Sequence, residues 1–312
     1  MALLHEMPDF ADLVAVTARA HAIDPGLVEK DYWIMHGLWG LQQLGFRFEL
    51  KGGTSLSKGY RLIHRFSEDI DILIHPEHDL PFGKNQNKPA HIDARRAFYD
   101  GLPGRLVING FQAVERDRNF DDERMRSAGI RMLYREINPL PDGVKVGILL
   151  EAGLDQVAPN RPCLISSWAY DIAVASDLPD LTDNRAIDVA CYEPGYTLVE
   201  KLQTISTKFR RYRDIGAMPQ NFLRHYYDVY CLLDDADVQA FIGSDPYLAH
   251  KDARFPAADE KVLSRNPAFL LDDAATRELF AKAYRSTHAL YYREQPSFTD
   301  LVERIAVNLD RL

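Results

Sequence analysis

Two periodicities divide the chain, and the points where one gives way to the other outline its elements. Phe10, Leu13, Val14 and Thr17 share one face at helical spacing, which predicts a first helix from Phe10 to His21. Asp24-Pro25 predicts a second start, a capping carboxylate followed by a proline in the first turn. That helix continues through Glu29, Lys30, Asp31, Trp33 and Leu38, and Gly45 stops it. Phe46, Phe48 and Leu50 then alternate with polar residues, as in a half-buried strand. Gly52-Gly53-Thr54 breaks the strand, and a short helix is expected over 54–64. The segment Asp69-Ile70-Asp71-Ile72-Leu73-Ile74 follows as a second strand, its tail rich in β-formers.

Residues 75–90 are rich in Pro, Gly, Asn and His and predict a loop. A helix is expected over 93–101 and strands over 105–114, 129–137 and 144–151. In the last of these Val144, Val146, Ile148 and Leu150 share a face. Residues 153–193 hold several prolines and short β-like pieces. Beyond Pro194-Gly195 the spacing turns helical, first with Leu198, Leu202, Ile205 and Phe209, then with Phe222, Tyr226, Val229 and Leu233. The expected class is α+β, with a mixed α/β domain over 1–195 and an all-α domain over 196–312.

Composition narrows the function. Of 312 residues 46% are hydrophobic, 27% charged and 11% aromatic, the balance of a soluble globular protein rather than a disordered one. The net charge of −9 argues against a protein built mainly to hold nucleic acid, but leaves room for an enzyme with a local basic patch. The three cysteines, Cys163, Cys191 and Cys231, form no CxxC pair and suggest neither a disulfide framework nor a zinc site. A reducing cytoplasm fits that usage. Glu6, Asp9 and Asp12 mark the start as no signal peptide, and no run approaches the roughly 18 apolar residues of a membrane span, so no membrane partner is expected.

The chemistry concentrates in Lys51-Gly52-Gly53-Thr54-Ser55-Leu56 and Arg65-Phe66-Ser67-Glu68-Asp69-Ile70-Asp71. Two glycines between a strand and a helix let the backbone approach a ligand, and the helix start suits phosphate, with Thr54 and Ser55 adding hydroxyls. Asp69 and Asp71, two apart on a strand, point to one face. Adjacent carboxylates repel unless a cation lies between them, and Mg²⁺ takes one or two carboxylates together with substrate phosphates. A metal-nucleotide site follows from that juxtaposition, although a Gly-Gly pair alone is usually only a turn and two spaced acids are often only solvated. Glu151, at the end of a strand, is a candidate third carboxylate or simply an edge acid. Lys51 and Lys58 flank the turn as candidate phosphate contacts. Lys201, Lys208 and Arg211 recur on one helix face, with Arg210 and Arg213 nearby, as a clamp for phosphate and RNA backbone or as a solvated face. The histidines show no HExxH spacing, and no GxSxG, Walker A or GxGxxG occurs.

At these residues the chain resembles the polymerase-β-type nucleotidyltransferase superfamily, whose pattern is a Gly-Gly or Gly-Ser turn, a short helix and DxD on a strand. The longer string KGGTSLSKGYRLIHRFSEDIDILI resembles motif I of the AbiEii/AbiGii toxin family, which includes the mycobacterial MenT toxins, with Arg65, Ser67, Asp69 and Asp71 in its positions. Tyr196-Thr197-Leu198-Val199-Glu200-Lys201-Leu202 resembles the family's Glu-Lys helix, and Arg224-His225-Tyr226-Tyr227-Asp228-Val229-Tyr230 its aspartate in an aromatic-rich helix.

The resemblance implies a polymerase-β-like domain with a mixed sheet, followed by an all-α domain. It implies that Gly52, Gly53, Thr54, Ser55 and Arg65 bind nucleotide, that Asp69 and Asp71 bind Mg²⁺ with Glu151 as a reserve ligand, and that Ser67 belongs to the catalytic set. Lys201 would neutralise phosphate and Asp228 would position metal or acceptor. The reaction implied is transfer of a nucleoside monophosphate from an NTP to the 3′ end of tRNA, by a cytoplasmic toxin paired with an antitoxin. Three rivals stay open: a protein or small-molecule acceptor, a phosphotransferase using the same site, and a non-catalytic binding partner.

Overall fold

Alternating apolar residues build a sheet with one greasy and one polar face, and that division positions the candidate chemistry. The computed structural model describes residues 1–83 and 85–312, so residue 84 of the expected 75–90 loop lies outside the described residues. The chain divides into two units, one of Met1–Tyr60 with Phe66–Tyr192, the other of Arg61–Arg65 with Glu193–Leu312.

The first unit contains, in chain order, α1 (Phe10–His21), α2 (Pro25–Gln43), β1 (Arg47–Lys51), a helical turn α3 (Gly52–Thr54), β2 (Asp69–His75), α4 (Pro89–Arg105), β3 (Phe111–Asp117), β4 (Ser127–Tyr134), β5 (Ile148–Gly153), β6 (Asn160–Ile165), α5 (Trp168–Ala175) and β7 (Ala186–Tyr192). The strands form one mixed sheet in the order β3-β4-β5-β2-β1-β7-β6. β1 pairs antiparallel with β2, while β2 runs parallel to β5 and β1 parallel to β7.

Side chains alternate across a strand. Phe48 and Leu50 of β1, Ile70, Ile72 and Ile74 of β2, and Ile148, Leu150 and Ala152 of β5 therefore share the apolar face, and all are buried. Helix α2 covers it, with Gly37 facing Met132 and Ile70. Because α2 is buried on nearly every side, its consecutive charges Glu29, Lys30 and Asp31 are buried too, and each needs a partner. Glu29 accepts from the Ile137 and Asn138 backbone amides, Lys30 donates to the Lys145 carbonyl, and Asp31 accepts from the Trp168 amide and the Lys58 ammonium.

The Asp24 side chain caps α2 by accepting from the Gly26 amide, as the Asp-Pro start predicts. Elsewhere the boundaries differ from expectation. The helix expected over 54–64 is only α3 and one π-helical turn, Ser55–Gly59. The strand expected over 105–114 begins at Phe111, because α4 runs on to Arg105. The strand expected over 144–151 begins at Ile148, because Gly147 has φ +68° and leaves Val146 exposed rather than on the shared apolar face. Helix α5 lies in the 153–193 stretch read as β-like; the Ser167 side chain starts it by accepting from the Tyr170 amide.

The second unit contains α6 (Pro194–Ile215), α7 (Arg224–Leu232), α8 (Ala236–Phe241), α9 (Asp245–Arg254), α10 (Pro267–Leu270), α11 (Ala274–Arg285) and α12 (Phe298–Ala306). Its core is aromatic: Phe209, Phe222, Tyr226 and Phe298 gather around Phe280, or one another, in edge-to-face contacts. A capping box between Ser297 and Asp300 starts α12, which buries Leu301, Val302 and Ile305 on one face. The segment Arg61–Arg65, which lies in sequence between the Gly-Gly turn and β2, belongs to this unit. The Tyr227 hydroxyl accepts from the His64 amide at 3.1 Å, the His64 carbonyl from the Tyr292 amide at 3.2 Å, and the Ile63 carbonyl from the Tyr292 hydroxyl at 2.9 Å. No helix among the described residues is long and apolar enough to cross a membrane.

Candidate active site

On the polar face of the sheet, strand register sets the acidic residues side by side. Asp69 and Asp71 point the same way from β2, both half-buried. Asp71 is the Cα partner of Lys51 on one side and of Glu151 on the other, so Lys51, Asp71 and Glu151 make one row across three strands. Asp69 is the partner of Leu149. Among the described residues no group of three or more His, Cys, Asp or Glu side chains is arranged to hold a metal ion. Glu151 thus neighbours Asp71 through the ladder without completing a three-ligand cage.

The Gly-Gly turn leans on the same carboxylate. Gly52 has φ +72°, and a Cβ atom there would lie 2.3 Å from Asp71 Oδ2, so only glycine allows both the turn and the seat of Asp71. The hydroxyls of Thr54 and Ser55 both donate to the backbone. Both residues are buried; Thr54 Oγ1 donates to the Asp69 carbonyl at 2.5 Å and Ser55 Oγ to the Gly52 carbonyl at 3.0 Å. Thr54 ties the turn to the start of β2, and Ser55 closes the turn on itself. A helical turn this short carries little of a helix dipole, so phosphate binding here would fall to the backbone and to Lys51. Ser67 is half-buried, two residues before β2.

Lys58 is committed elsewhere. It pairs with the fully buried Asp31 and lies 4.2 Å from the centre of the Trp168 ring. Burial raises the Asp31 carboxyl, opposed by Lys58. Lys30 is buried with its ammonium 3.9 Å from Glu68 Oε2; burial lowers it to about 8, while Glu68 and then Asp69 oppose the shift.

In the helical unit an ionic centre joins Arg65, Lys201 and Asp228. Arg65 is 2% exposed and grips Asp228 with two parallel bonds, Nε to Oδ1 at 2.6 Å and Nη2 to Oδ2 at 2.7 Å. Lys201 Nζ reaches the same Oδ2 at 2.9 Å. Asp228 is wholly buried, which alone would raise its carboxyl; Arg65 and then Lys201 overcome this and hold it at about 2. The adjacent His225 is buried and driven well below its ordinary value, first by burial and then by Lys201, Lys208, Arg224 and Arg65. It is therefore neutral, and Lys208 Nζ lies 3.3 Å from its Nε2.

The basic helix face expected on α6 is not a uniform patch. Lys201 is buried against Asp228, Arg210 Nε donates to the buried Asp259 at 2.6 Å, and Lys208 donates to the Gln220 carbonyl, while Arg211 and Arg213 are exposed. Sequence reasoning did not foresee Asp31, Asp259 or the threading of Arg61–Arg65. A capping-competent or apolar-flanked charge carries no mark of the distant residue that will neutralise it.

Comparison with curated proteins finds no match. The family model described as the nucleotidyl transferase AbiEii toxin of type IV toxin–antitoxin systems matches residues 33–304, a span that holds the Gly-Gly turn, the Asp69/Asp71 strand, Lys201 and Asp228. The chain therefore belongs to the AbiEii toxin family of nucleotidyltransferases, the toxins of type IV toxin–antitoxin systems.

Proposed function

We propose that this nucleotidyltransferase transfers a nucleoside monophosphate from an NTP to the 3′ end of tRNA in a Mg²⁺-dependent reaction, releasing pyrophosphate and blocking aminoacylation. Family membership implies an NTP substrate and an antitoxin partner. The observation that carries the reading is the seat of Asp71 against Gly52, with Asp69 on the same face. Two hard carboxylates beside a close backbone approach fit Mg²⁺, which needs one or two such ligands when phosphates supply others. Mg²⁺ bound there would supply Lewis-acid stabilisation of phosphoryl charge.

Around it Gly52 and Gly53 would admit the triphosphate to the backbone and Lys51 would add a cation. Thr54 and Ser55 would hold the turn that makes this approach possible. Lys201, assigned by the family resemblance, would neutralise phosphate as a point charge. Asp228 would serve by orienting Lys201, and Ser67 completes the proposed set. Glu151 would act at most as an auxiliary ligand beside Asp71. A mixed sheet carrying a Gly-Gly turn and DxD on the next, antiparallel strand supports a polymerase-β-like domain, and the run of helices after Glu193 supports an all-α second domain. A cytoplasmic site of action accords with the tRNA acceptor.

The test is incubation of the purified protein with bulk tRNA, Mg²⁺ and each α-labelled NTP. Label at the tRNA 3′ end, lost with EDTA, is the expected result. The net charge of −9 and the neutralisation of Arg210 by Asp259 favour a second reading, a protein or small-molecule acceptor. Label that moves to protein or to a small molecule from the α-phosphate would establish it, whereas transfer from γ-labelled NTP alone would mark a phosphotransferase.

A further inference from the structure

Two cations share one buried carboxylate in the helical unit, and the sum of the three charges decides what the surplus can do. Asp228 has two oxygens; Arg65 takes both, and Lys201 takes a share of one. Two cations and one anion leave a net positive charge. Arg65 is 2% exposed and Asp228 0%, whereas the Lys201 side chain retains 9%, so Lys201 is the member through which the surplus can meet a solvent-borne ligand. A guanidinium suits the inner position because its planar fork matches a carboxylate and its charge survives burial.

We propose that Arg65 is a positioning residue that neutralises Asp228, so that the Lys201 ammonium is held in place by that carboxylate without being cancelled by it. This rests on the reading that Lys201 contacts nucleotide phosphate. Without Arg65, Asp228 and Lys201 would form a neutral ion pair and the phosphate would lose its cation. Without Arg65 and Asp228 together, the charge of Lys201 would again be uncompensated, although less well placed. A residue that merely supported the fold would not produce such a recovery.

The experiment measures NTP binding by calorimetry and label transfer from α-labelled NTP for the full chain and for the variants Lys201→Met, Arg65→Met, Arg65→Lys and Arg65→Met/Asp228→Asn, with thermal melting to confirm folding. Arg65→Met should weaken NTP binding at least tenfold, about the effect of a lost 1.4 kcal/mol. The double variant should regain most of that affinity, while kcat stays down by about 100-fold from loss of placement. Arg65→Lys keeps the charge and should keep the affinity, with kcat reduced; it carries the test if Arg65→Met does not fold. Affinity unchanged in Arg65→Met, or a double variant no better than Arg65→Met, overturns the proposal alone. A wild type that binds no NTP, or a Lys201→Met variant that binds as wild type does, overturns the reading of Lys201 and the proposal with it.

Discussion

A Cβ atom on Gly52 would stand 2.3 Å from the Oδ2 of Asp71, well inside van der Waals contact. The backbone at Gly52, with φ +72°, is also one that L side chains avoid, at a cost of about 1–2 kcal/mol. Gly52→Ala is therefore expected to displace the carboxylate and to lower transfer by about 100-fold or more, the scale of an ångström-sized misplacement. Melting should drop only modestly. Label transfer and a melting curve on the same sample check both parts, and wild-type activity in this variant would separate the turn from the site.

The pairing of Asp69 and Asp71 predicts a metal-dependent stability. Mg²⁺ that binds only the folded chain raises its melting temperature by mass action. Asp71→Asn should abolish that rise and the transfer reaction, yet melt no lower than wild type in EDTA, because one of two like charges is gone. Glu151→Gln should weaken the Mg²⁺ effect without removing it. A titration of melting temperature against Mg²⁺ reads all three chains.

Lys51 and Lys58 flank the same turn in sequence but have different tasks. Lys58→Met strips the cation from the fully buried Asp31, and breaking such a pair typically costs about 3–5 kcal/mol. Its KM for NTP should stay near wild type. Lys51→Met lies in the row with Asp71 and should do the reverse, raising KM with little change in denaturant midpoint.

Acid should reveal the Asp228 centre. Its carboxyl sits at about 2 in the folded chain, below the ordinary 3.8, so the ion pairs stabilise the fold fully above about pH 4 and lose their contribution as pH falls toward 2. The stability gap between wild type and Asp228→Asn should be wide near neutrality and should narrow across that window. Denaturant midpoints at a series of pH values measure it; a gap independent of pH would contradict the geometry.

Much of the protein follows from local pattern. The alternation in β1 and β2, the Asp24-Pro25 start of α2, and the glycine turn ahead of DxD are short-range features, so the chain carries them openly, and with them the family and the kind of chemistry. Register and burial are different, because they depend on residues far apart in sequence. Nothing near Lys58 announces Asp31, nothing near Arg210 announces Asp259, and nothing in RLIHR says that these residues join the helical unit. Only the tertiary structure decides that Asp71 stands between Lys51 and Glu151, and that the Thr54 and Ser55 hydroxyls bind backbone. It also decides that Arg65 spends its charge on a buried carboxylate, since a charge withdrawn from water takes whichever partner the fold brings within reach.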